Sequence, residues 1–168
     1  MEKLWAPWRY KYIKESVEIK PTSCIFCDIP ADDIGRDQQN LVLYRGKLTY
    51  VLCNKYPYNN GHLLIIPYRH TAELGALNAE ERLESMDLIN LSVEVVRHAQ
   101  HAESFNVGAN LGRTAGAGIE EHIHFHVVPR YDGDTNFMPV VGQTKVISQS
   151  LEETWEILKK GFDELAPH

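Results

Sequence analysis

The sequence predicts an α+β fold, in which helices flank a mainly antiparallel sheet of five strands. Three observations support this class. Short apolar segments alternate with turn residues along much of the chain. Two longer segments have apolar residues at steps of three and four, which indicates amphipathic helices. The first strands are joined by short, hairpin-like connections, and these favour antiparallel pairing.

Five segments are predicted to be strands because they are apolar and bounded by turn signals. Arg45-Gly46-Lys47 joins the first two as a tight turn, and the third is a nearly continuous apolar run, as expected of a buried strand. A glycine-rich loop separates the last two. The predicted strands cover residues 40–44, 48–54, 62–67, 105–111 and 122–129.

Two helices are predicted from their first turns and from one apolar stripe each. Asn78 and Glu81 are spaced as in a capping box, and Ser150 and Glu153 repeat that spacing. Side chains three and four residues apart share one face of a helix, so each stripe should face the core. In the first helix the stripe is Leu83, Met86, Ile89, Val93 and Val96. In the second helix it is Leu151, Trp155, Leu158, Phe162 and Leu165.

The length of 168 residues and the ordinary composition are typical of one globular domain. We divide the chain into an N-terminal arm, residues 1–21, and a domain, residues 22–168, that includes the C-terminal helix. The net charge of −6 argues against a nucleic-acid partner. No apolar run reaches the roughly 18 residues that span a bilayer, and no signal peptide is recognised. We therefore expect a cytoplasmic protein without a membrane partner.

Three histidines alternate with apolar residues in the last predicted strand. His122, His124 and His126 should point to one face, because successive side chains alternate across a strand. Three imidazoles on one face are hard to explain as core packing. Two functional interpretations remain: the row binds a metal ion, or one histidine is a nucleophile that its neighbours position.

In the nucleophile interpretation, a neutral imidazole nitrogen attacks phosphorus and the leaving phosphate departs on the opposite side. The other ring nitrogen must donate a hydrogen bond, typically to a carbonyl, so that the attacking lone pair stays available. The preceding loop offers Asn110, Arg113 and close-approaching backbone N–H groups to a phosphate, and Arg130 follows the strand as a further cation. The loop residues expected to bind phosphate through the backbone are Gly116, Ala117 and Gly118.

The segment around these histidines resembles the signature of the histidine-triad (HIT) family. It reads His122-Ile123-His124-Phe125-His126-Val127-Val128-Pro129-Arg130. Further matches lie at the family's nucleotide-pocket strand pair and phosphate loop: Asn54, Pro57, Gly61-His62, Ile66-Pro67 and Asn110-Leu111-Gly112. Residues 4–9 and 136–140 are similar to segments of a bacterial branch that includes diadenosine tetraphosphate phosphorylases and hydrolases.

The resemblance implies a nucleotide hydrolase or nucleotidyltransferase with a HIT-like fold, commonly a homodimer whose two sheets join. It implies His124 as the nucleophile that carries the nucleotidyl group, His126 as a phosphate contact, and His62 as the residue that completes the cluster. The substrate would be a small nucleotide such as a dinucleoside polyphosphate. Asn54 would contact its ribose and Asn110 its phosphate.

One departure from the family pattern bears on the acceptor of the nucleotidyl group. Many members have Gly-Gln-Ser or Gly-Gln-Thr before the triad, where this chain has Ala117-Gly118-Ile119. The missing amide and hydroxyl leave backbone N–H groups to bind the reacting phosphate. We therefore expect hydrolysis to AMP, with phosphorolysis to ADP as the alternative. A metallohydrolase that uses the triad as ligands and a nucleotide-binding module without turnover also remain open.

Cys24 and Cys27 have the spacing of a zinc site, but a tetrahedral site needs two more ligands. In metal-containing relatives these come from a histidine after the Ile-Pro turn and from the first triad histidine. The resemblance therefore implies His70 and His122 as the remaining ligands of a closed, structural zinc site. Two reduced cysteines packed under a loop are the alternative. Cys53, alone in a predicted strand, is interpreted as a core residue.

Overall fold

The computed structural model describes residues 24–134 and 146–166 of the chain. The predicted N-terminal arm, residues 1–21, lies outside these ranges. Short 3₁₀ turns lie between several elements, including Arg113–Ala115 in the glycine-rich loop. The helices and strands are, in chain order, α1 (Ile25–Ala31), β1 (Val42–Arg45), β2 (Thr49–Cys53), β3 (Leu63–Pro67), α2 (Ala79–Gln100), β4 (Ser104–Gly108), β5 (Phe125–Arg130) and α3 (Leu151–Leu165).

The five strands form one antiparallel sheet in the order β1-β2-β3-β5-β4, which confirms the predicted α+β class. The last strand of the described residues, β5, lies between β3 and β4. Its register pairs His126 with Leu64 of β3, and Val128 with Asn106 of β4. The strand that carries His126 is therefore held by hydrogen bonds on both sides.

One face of the sheet packs against α2 and α3 and forms the main core. Ile65 of β3 belongs to this core with Leu88 of α2 and Phe162 of α3. The two helices approach each other closely at Gly161, where an added Cβ would lie 2.8 Å from Cγ1 of Val95. Two helices on one face of a sheet give the two-layer arrangement typical of α+β domains.

The described residues cover the opposite face of the sheet only in part. On this side α1 buries Phe26 in an apolar cluster with Tyr50 of β2 and Ile66 of β3. An open cleft lies farther along the sheet, against β4 and β5. The alternate β5 residues His126 and Val128 line this cleft, because Val127 between them faces the core. The uncovered part of this face therefore offers space for a ligand.

The first turns of α2 contradict the predicted apolar stripe. Both predicted capping boxes are present, and Ile89 and Val96 are buried as expected. Leu83 and Met86, however, are 64% and 61% exposed. In α3 the last member of the stripe, Leu165, is exposed as well. The predicted stripes are therefore wrong at one end of each helix.

Polar residues occupy the inward positions of α2 that the pattern assigned to apolar ones. The Glu81 carboxylate accepts hydrogen bonds from Nε of Arg69 and from the backbone N–H of Asn78. The Ser85 hydroxyl donates to the carbonyl of Glu81 and lies 3.3 Å from the Thr49 hydroxyl. Because these polar groups have partners, they are buried without a large cost.

The element boundaries also differ from the prediction near the histidines. Regular pairing of β5 begins at Phe125, so His122 and His124 precede the strand. The sequence does not predict α1, because seven residues with Pro30 inside show too little helical periodicity. No helix among the described residues combines the length and the apolarity that crossing a bilayer requires.

Candidate active site and metal cluster

The three residues predicted to be catalytic lie together beside the cleft. The ring centroids of His124 and His126 are 5.0 Å apart, and those of His62 and His126 are 5.2 Å apart. His126 belongs to β5, while His62 directly precedes β3. The antiparallel pairing of β3 with β5 therefore brings together residues that are distant in sequence. Both His62 and His124 are buried.

One hydrogen bond sets the proton position on His124. Its Nδ1 lies 2.9 Å from the carbonyl oxygen of His122. A carbonyl oxygen only accepts, so Nδ1 carries the proton and Nε2 has the lone pair. Burial lowers the pKa of His124, although the hydrogen bond to His122 opposes this effect, so the ring is neutral at neutral pH. This is the state that an attacking imidazole requires.

A relay of hydrogen bonds sets the protons on the other two rings. The backbone N–H of Tyr58 donates to Nδ1 of His62 at 3.0 Å. The proton of neutral His62 is therefore on Nε2, which donates to Nδ1 of His126 at 3.0 Å. In a neutral His126 ring that accepts at Nδ1, the proton is on Nε2. Burial, with repulsion from His126 and His124, lowers the pKa of His62 to about 3, which keeps this ring neutral.

The cleft beside His126 has a volume of about 500 Å³. This lies within the range of small-ligand sites in proteins, roughly 300–1,000 Å³. His126, Asn110 and Arg130, all predicted as ligand contacts, line the cleft. Side chains that sequence reasoning missed also line it: Tyr58, Asn59 and Asn106.

Two predicted substrate-binding residues make contacts within the protein. Nδ2 of Asn54 lies 3.3 Å from Nδ1 of His62, and its Oδ1 accepts a hydrogen bond from the backbone N–H of Tyr56. The Arg130 guanidinium donates to both carboxylate oxygens of Asp134, at 2.7 and 3.1 Å. Asn54 therefore supports His62, and an internal carboxylate holds Arg130 at the cleft. Contacts of Asn54 and Arg130 with a nucleotide stay predictions.

The glycine-rich loop contains a single 3₁₀ turn. Gly112 and Gly116 have φ angles of +79° and +92°, which favour glycine. The backbone N–H of Gly116 donates to the carbonyl of Arg113, and that of Ala117 to the carbonyl of Gly112. The N–H groups of Gly116 and Ala117, two of the three predicted to bind phosphate, therefore donate within the loop. The third is the N–H of Gly118. A phosphate-binding role for this loop stays a prediction.

The four predicted metal ligands form a second cluster. One ligand atom from each of Cys24, Cys27, His70 and His122 lies within 4.8 Å of the others. Nδ1 of His122 is 3.3 Å from Sγ of Cys24, and Nδ1 of His70 is 3.3 Å from Sγ of Cys27. Tetrahedral zinc, with typical bond lengths, places sulfur and nitrogen ligands about 3.6 Å apart. The spacing of the cluster therefore fits a zinc ion.

The proton positions in this cluster fit a metal as well. Nε2 of His122 donates to the carbonyl of Pro67 at 2.8 Å, so the Nδ1 lone pair faces the two sulfurs. Burial and the neighbouring Cys24 raise the pKa of the Cys27 thiol to about 11. The Cys27 thiol therefore resists ionisation unless a cation binds beside it.

Two residues outside the predicted set contact the histidines that are predicted to be catalytic. The ring centroid of Tyr58 lies 4.7 Å from that of His62, and the ring of Phe26 lies 5.0 Å from that of His124. The sequence offers one signal for each of them. Tyr58 lies in the turn before His62, and Phe26 lies between the two cysteines of the metal cluster.

Comparison with known proteins identifies the family. The family model of the HIT domain matches residues 36–133. The chain belongs to the HIT family. A curated relative with the name AP-4-A phosphorylase, from Mycobacterium tuberculosis, is 41% identical over 161 residues, which cover 94% of this HIT chain and 83% of that protein. The expectation from the three alternating histidines is thereby confirmed.

Two further relatives of this HIT chain are less similar in sequence. Bis(5'-adenosyl)-triphosphatase of Saccharomyces cerevisiae is 35% identical over 91 residues, which cover 54% of this chain and 44% of that protein. A solved structure of a Zn-bound histidine triad family protein from Mycobacterium smegmatis superposes with a TM-score of 0.68 at 26% identity. That match covers 85% of this chain and 95% of the other, so the HIT fold extends well beyond the signature.

Proposed function

We propose that this HIT chain is an enzyme that acts on a dinucleoside polyphosphate. His124 attacks the α-phosphorus and takes up the nucleotidyl group. One observation carries the proposal: the hydrogen bond from Nδ1 of His124 to the carbonyl of His122, which leaves the lone pair on Nε2. The names of two relatives, AP-4-A phosphorylase and bis(5'-adenosyl)-triphosphatase, support this substrate class.

In the first step, Nε2 of His124 forms a bond to the α-phosphorus while the bond from that phosphorus to the bridging oxygen breaks. The bridging oxygen leaves with the electron pair of the broken bond and becomes a terminal oxygen of the departing nucleotide. His126 donates its Nε2 proton to a phosphate oxygen in a hydrogen bond, which stabilises the charge of the transition state. The carbonyl of His122 continues to accept from Nδ1 of the now cationic His124 ring.

In the second step, an acceptor attacks the same phosphorus and returns the electron pair to Nε2 of His124. Water gives AMP, which is the outcome that we expect because residues 117–119 lack a side-chain donor. Inorganic phosphate gives ADP and is the second candidate acceptor. It is favoured by the relative with the name AP-4-A phosphorylase, which matches 94% of this chain.

Incubation with diadenosine tetraphosphate, with and without phosphate, tests both steps. We expect rapid quenching of the wild-type protein to trap a nucleotidyl group on His124, and the His124→Ala variant to bind nucleotide without label or turnover. His98→Ala, which changes an exposed histidine of α2, is the control and should keep both. AMP with ATP identifies water as the acceptor, and ADP with ATP identifies phosphate. Turnover by His124→Ala, with no label on the wild type, contradicts the proposal.

The cluster of Cys24, Cys27, His70 and His122 is proposed to hold a structural zinc ion. The spacing of its ligand atoms supports this assignment, as does the similar Zn-bound structure from Mycobacterium smegmatis. When bound, the ion supplies the positive charge that keeps both sulfurs as thiolates. Four protein ligands leave no open position for substrate, so we assign the ion to bracing the segment before β5.

The partners proposed for this chain are a small nucleotide and a second copy of the chain. β4 is an edge strand of the sheet, and most of its residues are exposed. An exposed edge offers unpaired backbone groups to another strand, so two β4 strands could join two sheets. Sedimentation equilibrium should give the mass of a dimer, and a monomer mass at working concentration would contradict this. A cytoplasmic location stays a prediction.

A further inference from the structure

Phe26 connects the metal cluster with the proposed nucleophile. It lies in α1 between Cys24 and Cys27, and its side chain is only 5% exposed. Its ring centroid is 5.0 Å from that of His124 at an interplanar angle of 59°. The same ring lies 5.6 Å from His122 in an edge-to-face arrangement. One buried aromatic side chain therefore contacts both the proposed nucleophile and a proposed metal ligand.

The hydrogen bond at Nδ1 alone leaves the direction of the opposite nitrogen of His124 loosely defined. Hydrogen bonds to carbonyl oxygens tolerate a broad range of angles, so the ring can tilt while the bond to His122 persists. In-line attack is sensitive to such tilting, because a displacement of about 1 Å can reduce a rate by about a hundredfold. The His124 ring needs contacts with neighbouring side chains as well, and Phe26 and His126 supply two of them.

Phe26 is itself held in place from two directions. Its carbonyl accepts a hydrogen bond of 2.9 Å from the hydroxyl of Tyr50, a residue with no exposed surface. Cys24 and Cys27, which lie on either side of it in the sequence, each have Sγ within 3.5 Å of Nδ1 of His122. A side chain whose backbone is fixed in this way restricts the movement of the side chain packed against it.

We propose that Phe26 is a positioning residue that fixes the direction of Nε2 of His124. The inference rests on the proposed role of His124 as the nucleophile. The ring does not react and binds no proton. It restricts the imidazole to the tilt that the proposed substrate geometry requires, and the metal cluster and Tyr50 keep it there. An ordinary core residue would stabilise α1 without affecting the ring of His124.

The Phe26→Leu variant separates these two roles, because leucine keeps an apolar side chain and removes the aromatic face. Ile29→Ala is the matched control: Ile29 packs against the same apolar cluster from the next turn of α1. The measurements are zinc content, the ring ¹⁵N signals of His124 without substrate at mildly alkaline pH, and kcat and KM with diadenosine tetraphosphate.

For Phe26→Leu we expect unchanged zinc content and His124 signals that shift or broaden as the ring samples more than one arrangement. We expect kcat to fall about tenfold or more and KM to stay within about threefold, since positioning acts on the chemical step. Ile29→Ala should keep the His124 signals and kcat within about twofold of the wild type.

Three outcomes overturn the proposal. In the first, the signals of His124 and kcat are unchanged in Phe26→Leu. In the second, Ile29→Ala produces the same changes, which identifies general loosening of α1. In the third, KM rises alone, which identifies Phe26 as a ligand contact. If the wild type turns over no dinucleoside polyphosphate, the proposed function fails, but the substrate-free signals of His124 still decide the role of Phe26.

Discussion

The chemistry proposed for each histidine depends on which of its two nitrogens carries the proton. Carbonyl oxygens set this for His122 and His124, which leaves one lone pair toward the metal cluster and one available for attack. A backbone N–H sets it for His62, and His62 then sets it for His126. The hydrogen bonds thus give four neighbouring histidines different proton positions, and burial keeps the pKa values of three of them, His62, His122 and His124, below the usual range.

Buried neutral histidines should destabilise the protein in acid. The pKa of His62 is about 3 in the folded chain, whereas histidine in an unfolded chain titrates near about 6.5. Between these values the unfolded state binds a proton that the folded state does not, so the free energy of unfolding falls as the pH falls. Each such histidine contributes a slope of about 1.4 kcal/mol per pH unit. Urea unfolding across this range should show the decline.

Two variants test the assignment to His62. His62→Gln should reduce the slope of unfolding free energy against pH by about 1.4 kcal/mol per pH unit, because the buried imidazole is removed. His98→Gln, at an exposed position of α2, should leave the slope unchanged. A slope in His62→Gln equal to that of the wild type would show that this ring does not carry the effect.

At the scale of secondary structure, α2 shows that an apolar stripe is an incomplete guide to the buried face of a helix. Its inward face includes Glu81, Ser85 and Ser92 beside Leu88 and Val95. Glu81 and Ser85 are buried with hydrogen-bond partners, so polar side chains occupy positions that the pattern reserved for apolar ones. The helix is placed by its contacts with the sheet and with α3, which the sequence does not display.

Two leucines of α2 provide a direct test of this placement. Leu88 is buried in the main core, whereas Leu83 is 64% exposed. Leu88→Ala should cost about 2–5 kcal/mol of unfolding free energy, because it removes transfer energy and leaves a cavity. Leu83→Ala should change it by about 0.5 kcal/mol or less. Chemical unfolding measures both changes in free energy. Equal losses would contradict the exposed position of Leu83.

At the scale of the whole molecule, the cluster of four predicted metal ligands joins regions that are distant in sequence. Cys24 directly precedes α1 and Cys27 lies in its first turn, while His70 follows β3 and His122 precedes β5. Among the described residues, one small apolar cluster holds α1 on the sheet, and the helix has seven residues. An ion at this junction would therefore stabilise the packing of α1 on the sheet.

Metal analysis of protein purified without chelator should give about one zinc ion per chain. Cys27→Ala should lower both the zinc content and the melting temperature, because a structural ion contributes folding free energy. Expressed as free energies, the loss in rate per folded molecule should be smaller than the loss in stability. Cys53→Ala, which removes a core thiol outside the cluster, is the control and should keep zinc. Wild-type protein without zinc contradicts the assignment.

Local patterns predict the strands, the two long helices, the histidine row and the cysteine pair, whereas His62 and His70 joined the two predicted clusters through the resemblance to the HIT family. Alternating histidines, a Cys-x-x-Cys spacing and capping boxes are all readable in a few residues. The roles of Phe26, Tyr58 and Asp134 depend on approach through the fold, and no local pattern reports such contacts. The ion pair of Arg130 with Asp134 is an example, since it occupies a guanidinium that was predicted for phosphate.

The proton order in the histidine relay begins at two donors to Nδ1 of His62, the side-chain amide of Asn54 and the main-chain N–H of Tyr58. Every amino acid except proline supplies that N–H. In a library of variants at this position, every residue except proline would keep this donor to His62, whereas the side chain that packs against His62 and lines the cleft would change. Under the proposed function, evolution or engineering at position 58 would therefore alter the surroundings of the cleft while the backbone part of the proton relay is inherited unchanged.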